Sequence, residues 1–518
     1  MNARILLFTT GLLAGGYHLK AQVPVWSEPL PQDTTRQYHL LDLATDSAGN
    51  SYLLLKRSTL VIPFTLDVVL YAFDTDGLLL WQDSIQQLPT SGDLDIAPGG
   101  DLLLVATRES TEDILTRRYA PDGTVIWTQT YANFGQSNVA IRVKVDPDGR
   151  AFVAGSTVGS PQPNQEALVL GYAPSGAYLF DYLYSLPGVG GSTATDLTVD
   201  TTGQVIVSGR TGWHPFTLAL DTLGNLQWLR LHQPAVLGEI NRVDMLPNGN
   251  IRMTGWDNTP RMYLYTYAPD GTELDSTFFP AGLGTGDTLL VMDVAIGPTG
   301  TQYVFSMWKD TGGNPGSARH TAAFALDGTN LWEVLEPSNG TIDLAYDLEL
   351  DPLDRIYTAS TGGTPQQHVA YVRIHDPMGM PVWNNGPDSL LPRYRYAQVE
   401  LDAAGNFYVC TSFPTEDPAD PPVVLTKYSM PVGVEEQRPG GAGLTVWPNP
   451  AGDEVRVLPS GTGSGVLELL DPAGRLIHSV SSTDRPIDLH LEGLAAGPYI
   501  LRWIPADGQV EHGTVLKP

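Results

Sequence analysis

The chain has 518 residues, of which 42% are hydrophobic and 17% charged, enough for a large core and two to four domains. Asp and Glu outnumber Lys and Arg by 57 to 29, and the formal charge of −28 argues against a nucleic-acid partner because it repels phosphate backbones. The 54 glycines and 41 prolines favour many short strands joined by turns over helices.

Residues 1–21 have the pattern of a secretory signal peptide. Arg4 precedes an apolar stretch from Ile5 to Ala14 that is too short to span a bilayer, and a polar end follows it. No later segment is apolar over 18 residues, so we expect an exported protein that is not transmembrane. The single cysteine, Cys410, lies in a strand-like run and is expected to be a small core residue.

A phrase of the order apolar, Asp, turn, Gly, apolar recurs eight times, as in VKVDPDGRAFVAG. Its turn residues are Gly49, Gly100, Gly149, Gly203, Gly249, Gly300, Asp354 and Gly405. A second phrase alternates with it in seven copies, as in YAFDTDGLLLW, with turn glycines Gly77, Gly123, Gly176, Gly224, Gly271, Gly328 and Gly379. Both phrases predict hairpins, because Pro, Asp or Asn initiates the turn and Gly takes its φ > 0 position. Two hairpins in about 50 residues predict a four-stranded blade of a β-propeller.

The eighth module predicts only three strands and stops at Pro431, whereas the chain start has a Trp strand, VPVWSEPL, without a module. We therefore predict that the strand containing Trp26 completes blade eight. Residues 22–430 would then form an eight-bladed β-propeller closed by its N-terminal strand. Closure is favoured because it removes two unpaired sheet edges.

One aromatic position recurs four residues after the second turn glycine. It is occupied by Trp81, Trp127, Trp228, Trp332 and Trp383, with Phe180 and Asp275 as substitutes. Such regular spacing predicts that each indole packs against the next blade. The order Ala72, Asp74, Gly77, Trp81 resembles the docking motif of quinoprotein-type eight-bladed propellers. Enzymes of that family hold pyrroloquinoline quinone against two adjacent cysteines, so with Cys410 alone we expect no cofactor and read the resemblance as architectural.

The last part of the chain changes in composition. Residues 431–443, rich in Pro and Gly, predict a linker, and residues 444–518 predict a small β-sandwich of about seven strands. The segment contains Pro448, Asn449, Pro450, Asp453, Gly474, Arg475, Gly497 and Tyr499. On these residues it resembles the type A sorting domain of the type IX secretion system, known from the Bacteroidota. The resemblance implies passage across the outer membrane, the type IX secretion machinery as partner, and a final location at the cell surface or outside the cell.

No HExxH, P-loop, CxxC or GxSxG motif is present, so we predict no catalytic residues. The stretches DTDG (74–77) and DPDG (146–149) lie within the repeated turns and lack the later bidentate Glu of a calcium loop. Turn formation explains their Asp and Gly residues, and we predict no metal site.

Loops that join the second and third strands of propeller blades emerge on one face. In blades four to seven they are predicted to carry Trp213, His214, Trp256, Arg261, Trp308, Lys309, Arg319, His320 and His368. Aromatic planes beside cations suit a sugar ring or a peptide. The alternative is that these rings only pin long loops to the blades.

These patterns predict an exported, non-catalytic propeller that binds a glycan or a protein. One alternative is a secreted polysaccharide-degrading hydrolase or lyase, with Asp257 and Asp310 as candidate carboxylates, and another is an adhesin-like structural module. Two carboxylates about 5 to 10 Å apart beside Trp256 and Trp308 would favour a glycosidase. Loops lined by aromatic and amide groups would favour binding.

Overall fold

The computed structural model describes residues 24–30, 36–59, 66–86, 91–108, 112–132, 137–158, 165–232, 238–257, 261–280, 288–309, 317–337, 342–364, 367–384, 396–412, 423–429, 444–447, 454–459, 464–470, 475–482, 486–494, 497–505 and 511–517. They divide into two compact units, with the boundary between Pro431 and Val432. Within these ranges the chain forms 39 strands and no helix, so none of them supplies a helix that could span a membrane.

The first unit consists of eight four-stranded antiparallel sheets, which we call blades one to eight. Blade one contains β2 (Arg36–Thr45), β3 (Ser51–Thr59), β4 (Leu66–Phe73) and β5 (Leu79–Gln86). Blade two contains β6 (Gly92–Ile96), β7 (Leu102–Thr107), β8 (Ile114–Tyr119) and β9 (Val125–Tyr131). Blade three contains β10 (Asn138–Val145), β11 (Ala151–Val158), β12 (Gln165–Tyr172) and β13 (Tyr178–Tyr184). Blade four contains β14 (Ser192–Val199), β15 (Val205–Thr211), β16 (His214–Leu220) and β17 (Leu226–Leu231).

The remaining blades repeat this arrangement. Blade five contains β18 (Gly238–Met245), β19 (Ile251–Asp257), β20 (Arg261–Tyr267) and β21 (Glu273–Pro280). Blade six contains β22 (Thr288–Ile296), β23 (Gln302–Lys309), β24 (Ser317–Phe324) and β25 (Asn330–Pro337). Blade seven contains β26 (Ile342–Leu350), β27 (Ile356–Thr364), β28 (Gln367–His375) and β29 (Pro381–Asn384). Blade eight contains β30 (Tyr396–Leu401), β31 (Phe407–Ser412) and β32 (Val423–Tyr428), with β1 (Trp26–Pro29) as its outer strand.

Blade eight joins the two ends of the propeller. Strand β1 pairs antiparallel with β32, with Trp26 opposite Lys427. Two backbone bonds extend the ladder, from Val25 N to the Lys427 oxygen at 2.8 Å and from Leu30 N to the Val423 oxygen at 3.1 Å. The first strands of neighbouring blades contact one another all the way round, blade eight contacting blade one. The predicted fold class, an eight-bladed β-propeller followed by a small β-sandwich, is confirmed.

The repeated Asp residues of the phrases serve the turns. In blade one Gly49 has φ +85° and its N–H donates to the Asp46 oxygen at 2.9 Å. Asp46 Oδ1 accepts the backbone N–H groups of Ala48 and Asn50 at 3.0 and 2.9 Å. Such bonds favour the turn conformation, and they explain why Asp recurs there. Asp354, the one non-glycine turn residue of the first phrase, also adopts a positive φ, +59°.

The outer-strand tryptophans dock each blade on the next. Trp81 covers Gly123, where an added Cβ would lie 2.6 Å from indole Cδ2, and its Nε1 donates to the Pro121 oxygen at 2.9 Å. The same pair of contacts joins Trp26 to Gly77 and Thr75, Trp127 to Gly176 and Pro174, Trp228 to Gly271 and Pro269, and Trp332 to Gly379 and Pro377. Phe180 covers Gly224 in the same way. Inter-blade packing, not ligand binding, therefore accounts for these rings.

Two junctions depart from this pattern. Blade five has Asp275 at the tryptophan position, and the buried Arg252 instead donates to the carbonyl oxygens of Ala325 and Leu326 in blade six. Trp383 of blade seven packs on Phe407 in blade eight, with ring centroids 5.6 Å apart. Its buried Nε1 has no hydrogen-bond partner among the residues the structure describes. In blade eight the third strand β32 and the outer strand β1 come from opposite ends of the chain, so no hairpin turn joins them to provide such a carbonyl.

The second unit is a β-sandwich of seven strands. One sheet contains β33 (Thr445–Trp447), β34 (Glu454–Leu458) and β37 (Ile487–His490), and the other contains β35 (Gly465–Leu470), β36 (Leu476–Ser482), β38 (Gly497–Pro505) and β39 (Glu511–Lys517). It has its own core, which includes Tyr499 and Trp503. Of the motif residues, Gly497 begins β38 and Arg475 is exposed just before β36. Pro448, Asn449, Pro450, Asp453 and Gly474 lie outside the described residues.

Candidate functional site

The residues predicted to form a binding face occupy different environments. Trp213 lies at the turn between β15 and β16 and is 61% exposed, and His214 beside it is half-buried. Lys309 ends β23 and His368 lies within β28, but their side chains, like that of Asp257, are outside the described part of the structure. Asp310 falls outside it altogether. The glycosidase alternative therefore gains no carboxylate pair from the described residues beside Trp256 and Trp308.

Trp256 and Trp308 are packing residues. They lie in strands β19 and β23, not in the loops, and both pack at the edge of an apolar cluster between blades five and six. The cluster includes Met262, Leu289 and Phe324. Both rings therefore pack between two blades, which differs from the alternative that they pin long loops to the blades.

Arg319 and His320 are also within a strand, because β24 begins at Ser317. Both are buried, with 5% and 4% of their surfaces exposed. The Arg319 guanidinium lies 4.7 Å from the centre of the Tyr371 ring, and His320 Nε2 lies 3.2 Å from a Glu333 carboxylate oxygen. These two side chains serve contacts within and between blades.

Arg261 is the predicted residue that lines a cavity. It begins β20 at a groove of 640 Å³ that we call the groove of blade five, although blade four also borders it through Leu231. The groove is lined by Leu231, His232, Arg261, Tyr265, Glu273, Ser276 and Phe278. The Arg261 guanidinium lies 5.7 Å from the centre of the Phe278 ring, a cation–π distance, and Phe278 is 39% exposed.

The floor of the groove is aromatic and rigid. The rings of His232 and Tyr265 are both buried, with centroids 4.2 Å apart, and Tyr265 meets Phe278 edge-on at 6.0 Å. Burial lowers the pKa of His232 to about 4, so the ring is neutral at pH 7, and the Tyr267 hydroxyl lies 2.8 Å from His232 Nε2. The exposed Glu273 lies at the other end of the groove, since it pairs with Tyr267 whereas Arg261 pairs with Pro280. The groove therefore combines apolar ring faces with one positively and one negatively charged side chain, Arg261 and Glu273.

The central channel of the propeller holds a second concentration of polar groups, which the predictions missed. Its wall carries two rings of residues from the first strands of the blades, in a cavity of 520 Å³. Ring A, seven residues before each first-phrase turn residue, is Asp42, Asp93, Arg142, Asp196, Arg242, Asp293, Asp347 and Gln398. Ring B, two residues later, is Ala44, Asp95, Lys144, Thr198, Asp244, Ala295, Glu349 and Glu400. These residues could have been found in the sequence, because those of each ring lie at a constant number of positions before the turn residue.

Part of ring A joins neighbouring blades. Its carboxylates accept backbone N–H groups of the next blade, from Leu94 to Asp42 at 2.7 Å, Val143 to Asp93 at 2.7 Å, Val243 to Asp196 at 2.8 Å, Leu348 to Asp293 at 2.9 Å and Val399 to Asp347 at 2.8 Å. Arg142 bridges Asp93 at 3.0 Å and Asp196 at 3.3 Å. These bonds give several ring A carboxylates a structural role.

The channel nevertheless contains many more acidic than basic side chains. Nine carboxylates face three cations, Arg142, Lys144 and Arg242. Burial, reinforced by neighbouring carboxylates, raises the pKa of Asp42 and Asp244 to about 7 and that of Glu349 to about 8. The same causes raise the pKa values of Asp347 and Glu400 well above their usual range. Within the described ranges no group of three or more His, Cys, Asp or Glu side chains is placed to hold a metal ion.

No family model matches the chain, and no curated protein matches it. Among solved structures it is similar to a protein from Lactobacillus plantarum, at 14% identity and a TM-score of 0.43, over 68% of this chain and 96% of that one. It is similar to a puromycin hydrolase at 12% identity and a TM-score of 0.42, over 73% of this chain and 59% of the hydrolase. It is also similar to the β-propeller domain of the Trilobed protease from Pyrococcus furiosus, at 10% identity and a TM-score of 0.39, over 65% and 93%. The β-propeller is identified by the strand pairing within the chain.

Proposed function

We propose that the protein is an exported, non-catalytic propeller that binds a glycan in the groove of blade five. The observation that carries the proposal is the exposed Phe278 ring with the Arg261 guanidinium 5.7 Å from its centre. An aromatic face stacks on the C–H face of a sugar ring, while Arg261, Glu273 and Ser276 offer donors and acceptors for hydroxyl groups. The buried His232 and Tyr265 hold the Phe278 side of the groove in place.

The groove favours binding over hydrolysis. Most glycosidases use a pair of carboxyl groups about 5 to 10 Å apart. Among the described residues that line the groove, Glu273 is the only carboxylate. His232, the one imidazole there, is buried and bonded to Tyr267. These features support recognition of the glycan without bond cleavage.

A glycan array with residues 22–518 tests this proposal. Loss of one aromatic stacking contact is expected to weaken binding about tenfold, so Phe278→Ala should abolish most hits. Leu274→Ala is the matched control, because Leu274 is on the same strand, 52% exposed and not part of the groove. Unchanged hits for Phe278→Ala would overturn the site. Hits only on a peptide array would mean that the ligand is a protein and not a glycan. Release of cleaved sugar products would overturn the non-catalytic assignment.

We further propose that the C-terminal sandwich directs the protein across the outer membrane through the type IX secretion machinery, leaving it secreted or at the cell surface. The signal-peptide pattern of residues 1–21 and the sorting-domain resemblance of residues 444–518 support this route. The sandwich also has its own apolar core, as a separable signal requires.

Expression in a Bacteroidota host tests the export route. We expect the full chain outside the outer membrane, and a chain ending at residue 443 in the periplasm. A host lacking the secretion machinery provides the control and should retain both forms. Equal release of the truncated chain from the intact host would overturn the proposal.

A further inference from the structure

Each blade has an outer strand with one edge that pairs with no other described strand. Proteins protect such edges with charged residues or Pro, because an unprotected edge can pair with a strand of another chain. Seven of the eight outer strands contain at least one charged residue or proline. Strand β9 of blade two is the exception, since its sequence VIWTQTY contains neither.

The residues of β9 also favour pairing. Six of its seven residues are Val, Ile, Trp, Thr or Tyr, the types that are enriched in strands. Val125 and Ile126 are 44% and 47% exposed, and Thr128 and Thr130 are exposed too. A run of about six or seven such residues without charge or Pro is typical of segments that associate as strands. The sequence and the exposure of β9 therefore indicate an interaction surface, which we call the β9 edge.

The neighbouring blades hold β9 in a fixed conformation. Arg117 donates to Thr128 at 2.9 Å and to Asp83 of blade one at 2.8 Å. Three side chains of β9 donate hydrogen bonds to blade three, namely Trp127 to the Pro174 oxygen at 3.0 Å, Gln129 to the Gly176 oxygen at 2.8 Å and Tyr131 to Asp181 at 3.1 Å. The β9 edge is therefore ordered before a partner arrives, so pairing costs little conformational entropy.

A second copy of the chain is compatible with this edge. Two β9 strands can pair antiparallel about a twofold axis at Thr128, which places Val125 of each copy opposite Tyr131 of the other and the two Thr128 residues opposite each other. Pairs of an aromatic with a β-branched residue, and Thr with Thr, stabilise antiparallel sheets. The same arrangement of β13 would place Asp181 opposite Asp181, and like charges directly opposite are destabilising. Self-pairing is thus electrostatically favoured at the β9 edge over the charged outer strands.

We propose that the protein forms a reversible homodimer in which the β9 strands of two copies pair antiparallel and join both second blades into one eight-stranded sheet. Each chain has one outer edge without charge or proline, so the pairing is symmetric and the assembly closes at two copies. One strand pair is smaller than the interfaces of stable complexes, which bury at least about 1,200 Å², so we expect a weak dimer. The dimer does not depend on the proposed function, because blades four and five form the groove.

The salt dependence distinguishes this contact from one made by charges. Each chain has a formal charge of −28, so two copies repel each other. The paired strands themselves contribute no charge. Added salt therefore screens the repulsion without weakening the contact, and association should strengthen as the salt concentration rises. An interface of ion pairs would weaken under the same conditions.

Sedimentation equilibrium of residues 22–518 tests the proposal. Between about 5 and 500 µM protein we expect a reversible rise from the monomer mass toward twice that mass, and tighter association in about 500 mM than in about 50 mM NaCl. Ile126→Lys should raise the dissociation constant at least about tenfold, because it places a charge in the paired edge. Leu80→Lys is the matched control, since Leu80 is 49% exposed, also precedes the outer-strand Trp of its blade and changes the net charge equally.

The two lysine variants should melt at the temperature of the parent chain, because both positions are exposed. A parent chain that stays monomeric at about 500 µM in both salt concentrations, equal effects of the two variants, or growth of the mass beyond two copies would each overturn the proposal. A monomeric parent chain that binds a fluorescent peptide of alternating Val and Thr, with loss of that binding in Ile126→Lys, would make an extended peptide the occupant in place of a second copy.

Oxidation of Thr128→Cys with diamide tests the register. Residue 128 lies opposite its own copy at the twofold axis, so the two thiols should form one intermolecular disulfide, and Cys410 does not compete because it is buried. Gln82→Cys is the control, since Gln82 is also exposed and also follows the outer-strand Trp of its blade. Absence of a cross-linked dimer for Thr128→Cys, or equal cross-linking of both variants, would overturn the pairing of β9.

Discussion

Trp26 Nε1 donates a hydrogen bond of 2.9 Å to the carbonyl oxygen of Thr75, and the same indole lies across Gly77. The bond joins the outer strand of blade eight to blade one. It repeats the contact of Trp81 with Pro121 and Gly123 one blade further on. The closing junction is therefore built like the others, although it joins the last blade of the repeat array to the first.

Removing this indole should weaken the closed ring. We expect Trp26→Ala to lower the free energy of unfolding of the propeller by about 2–4 kcal/mol. This is less than the about 3–5 kcal/mol of a fully buried tryptophan, because Trp26 is only partly buried. Trp213→Ala, at a 61% exposed position, should stay within about 0.5 kcal/mol of the parent. Urea denaturation followed by circular dichroism measures both, and equal effects would contradict the role of Trp26.

The turn glycines under the indoles are constrained twice. Gly271 has φ +78°, and an added Cβ would lie 2.5 Å from Cδ2 of Trp228, whereas Gly249 has φ +82° with no atom within 4 Å. Alanine at a positive φ costs about 1–2 kcal/mol at either position. Gly271→Ala should cost about 1–3 kcal/mol more than Gly249→Ala, because the ring must also move. Equal urea midpoints for the two variants would show that the indole moves freely.

The indole N–H groups differ in their bonding. Trp228 Nε1 donates to the Pro269 oxygen at 2.9 Å, while the buried Trp383 Nε1 has no partner among the described residues. Both rings are buried, so replacement by Phe removes a similar amount of buried side-chain surface from each. Trp228→Phe should therefore cost about 1 kcal/mol more than Trp383→Phe. The reverse order in denaturation midpoints would mean that Trp383 has a partner that its position in blade seven does not explain.

The channel carboxylates should make the propeller less stable as pH rises through neutrality. Asp42, Asp244, Asp347, Glu349 and Glu400 have raised pKa values, so the folded state keeps protons that the unfolded chain has already lost above about pH 4. Each such proton makes the free energy of unfolding fall by about 1.4 kcal/mol per pH unit until the folded-state pKa is passed. That stability is present at low pH and is lost by pH 7 to 8 for the groups with those values.

Melting temperatures between pH 6.5 and 8.5 measure this effect. Below pH 6.5 the neutral His232 and His375 act in the opposite sense, because burial lowers their pKa values to about 4 and the unfolded chain binds the extra protons. We expect a falling melting temperature across the window, and a flatter curve for Glu349→Gln/Glu400→Gln. A rise with pH in the parent chain would show that the channel carboxylates are ionised and paired.

The blades could be predicted from the sequence because each hairpin turn depends on residues that are close together in the chain. Each phrase carries the Asp and Gly residues that its hairpin requires, and the incomplete eighth module indicated where the strand of Trp26 belongs. The channel was not predicted because polar and apolar residues alternate in the same way in a strand that faces water and in one that faces a channel. Recognising ring A required alignment of Asp42 with Asp93 and Arg142, which lie about 50 residues apart.

The loop face was predicted less well, because turn residues do not encode where the second and third strands end. Strand β19 continues through Trp256 and β23 through Trp308, so both rings pack between blades. Strand β24 begins before Arg319 and buries it. In blade five the strands contributed Tyr265 and Phe278 to a groove in which Arg261 was the only predicted member.

The pairing of β1 with β32 has a consequence for how the protein is made. Ser27 and Thr426, whose hydroxyl groups lie 3.1 Å apart, are separated by 399 residues of chain. Strand β1 leaves the ribosome early and cannot pair with β32 until nearly the whole propeller has been synthesised. A chain that terminates before β32 cannot close the ring, and its two unpaired sheet edges are open to proteases. The pairing of β1 with β32 therefore distinguishes full-length molecules from unfinished ones.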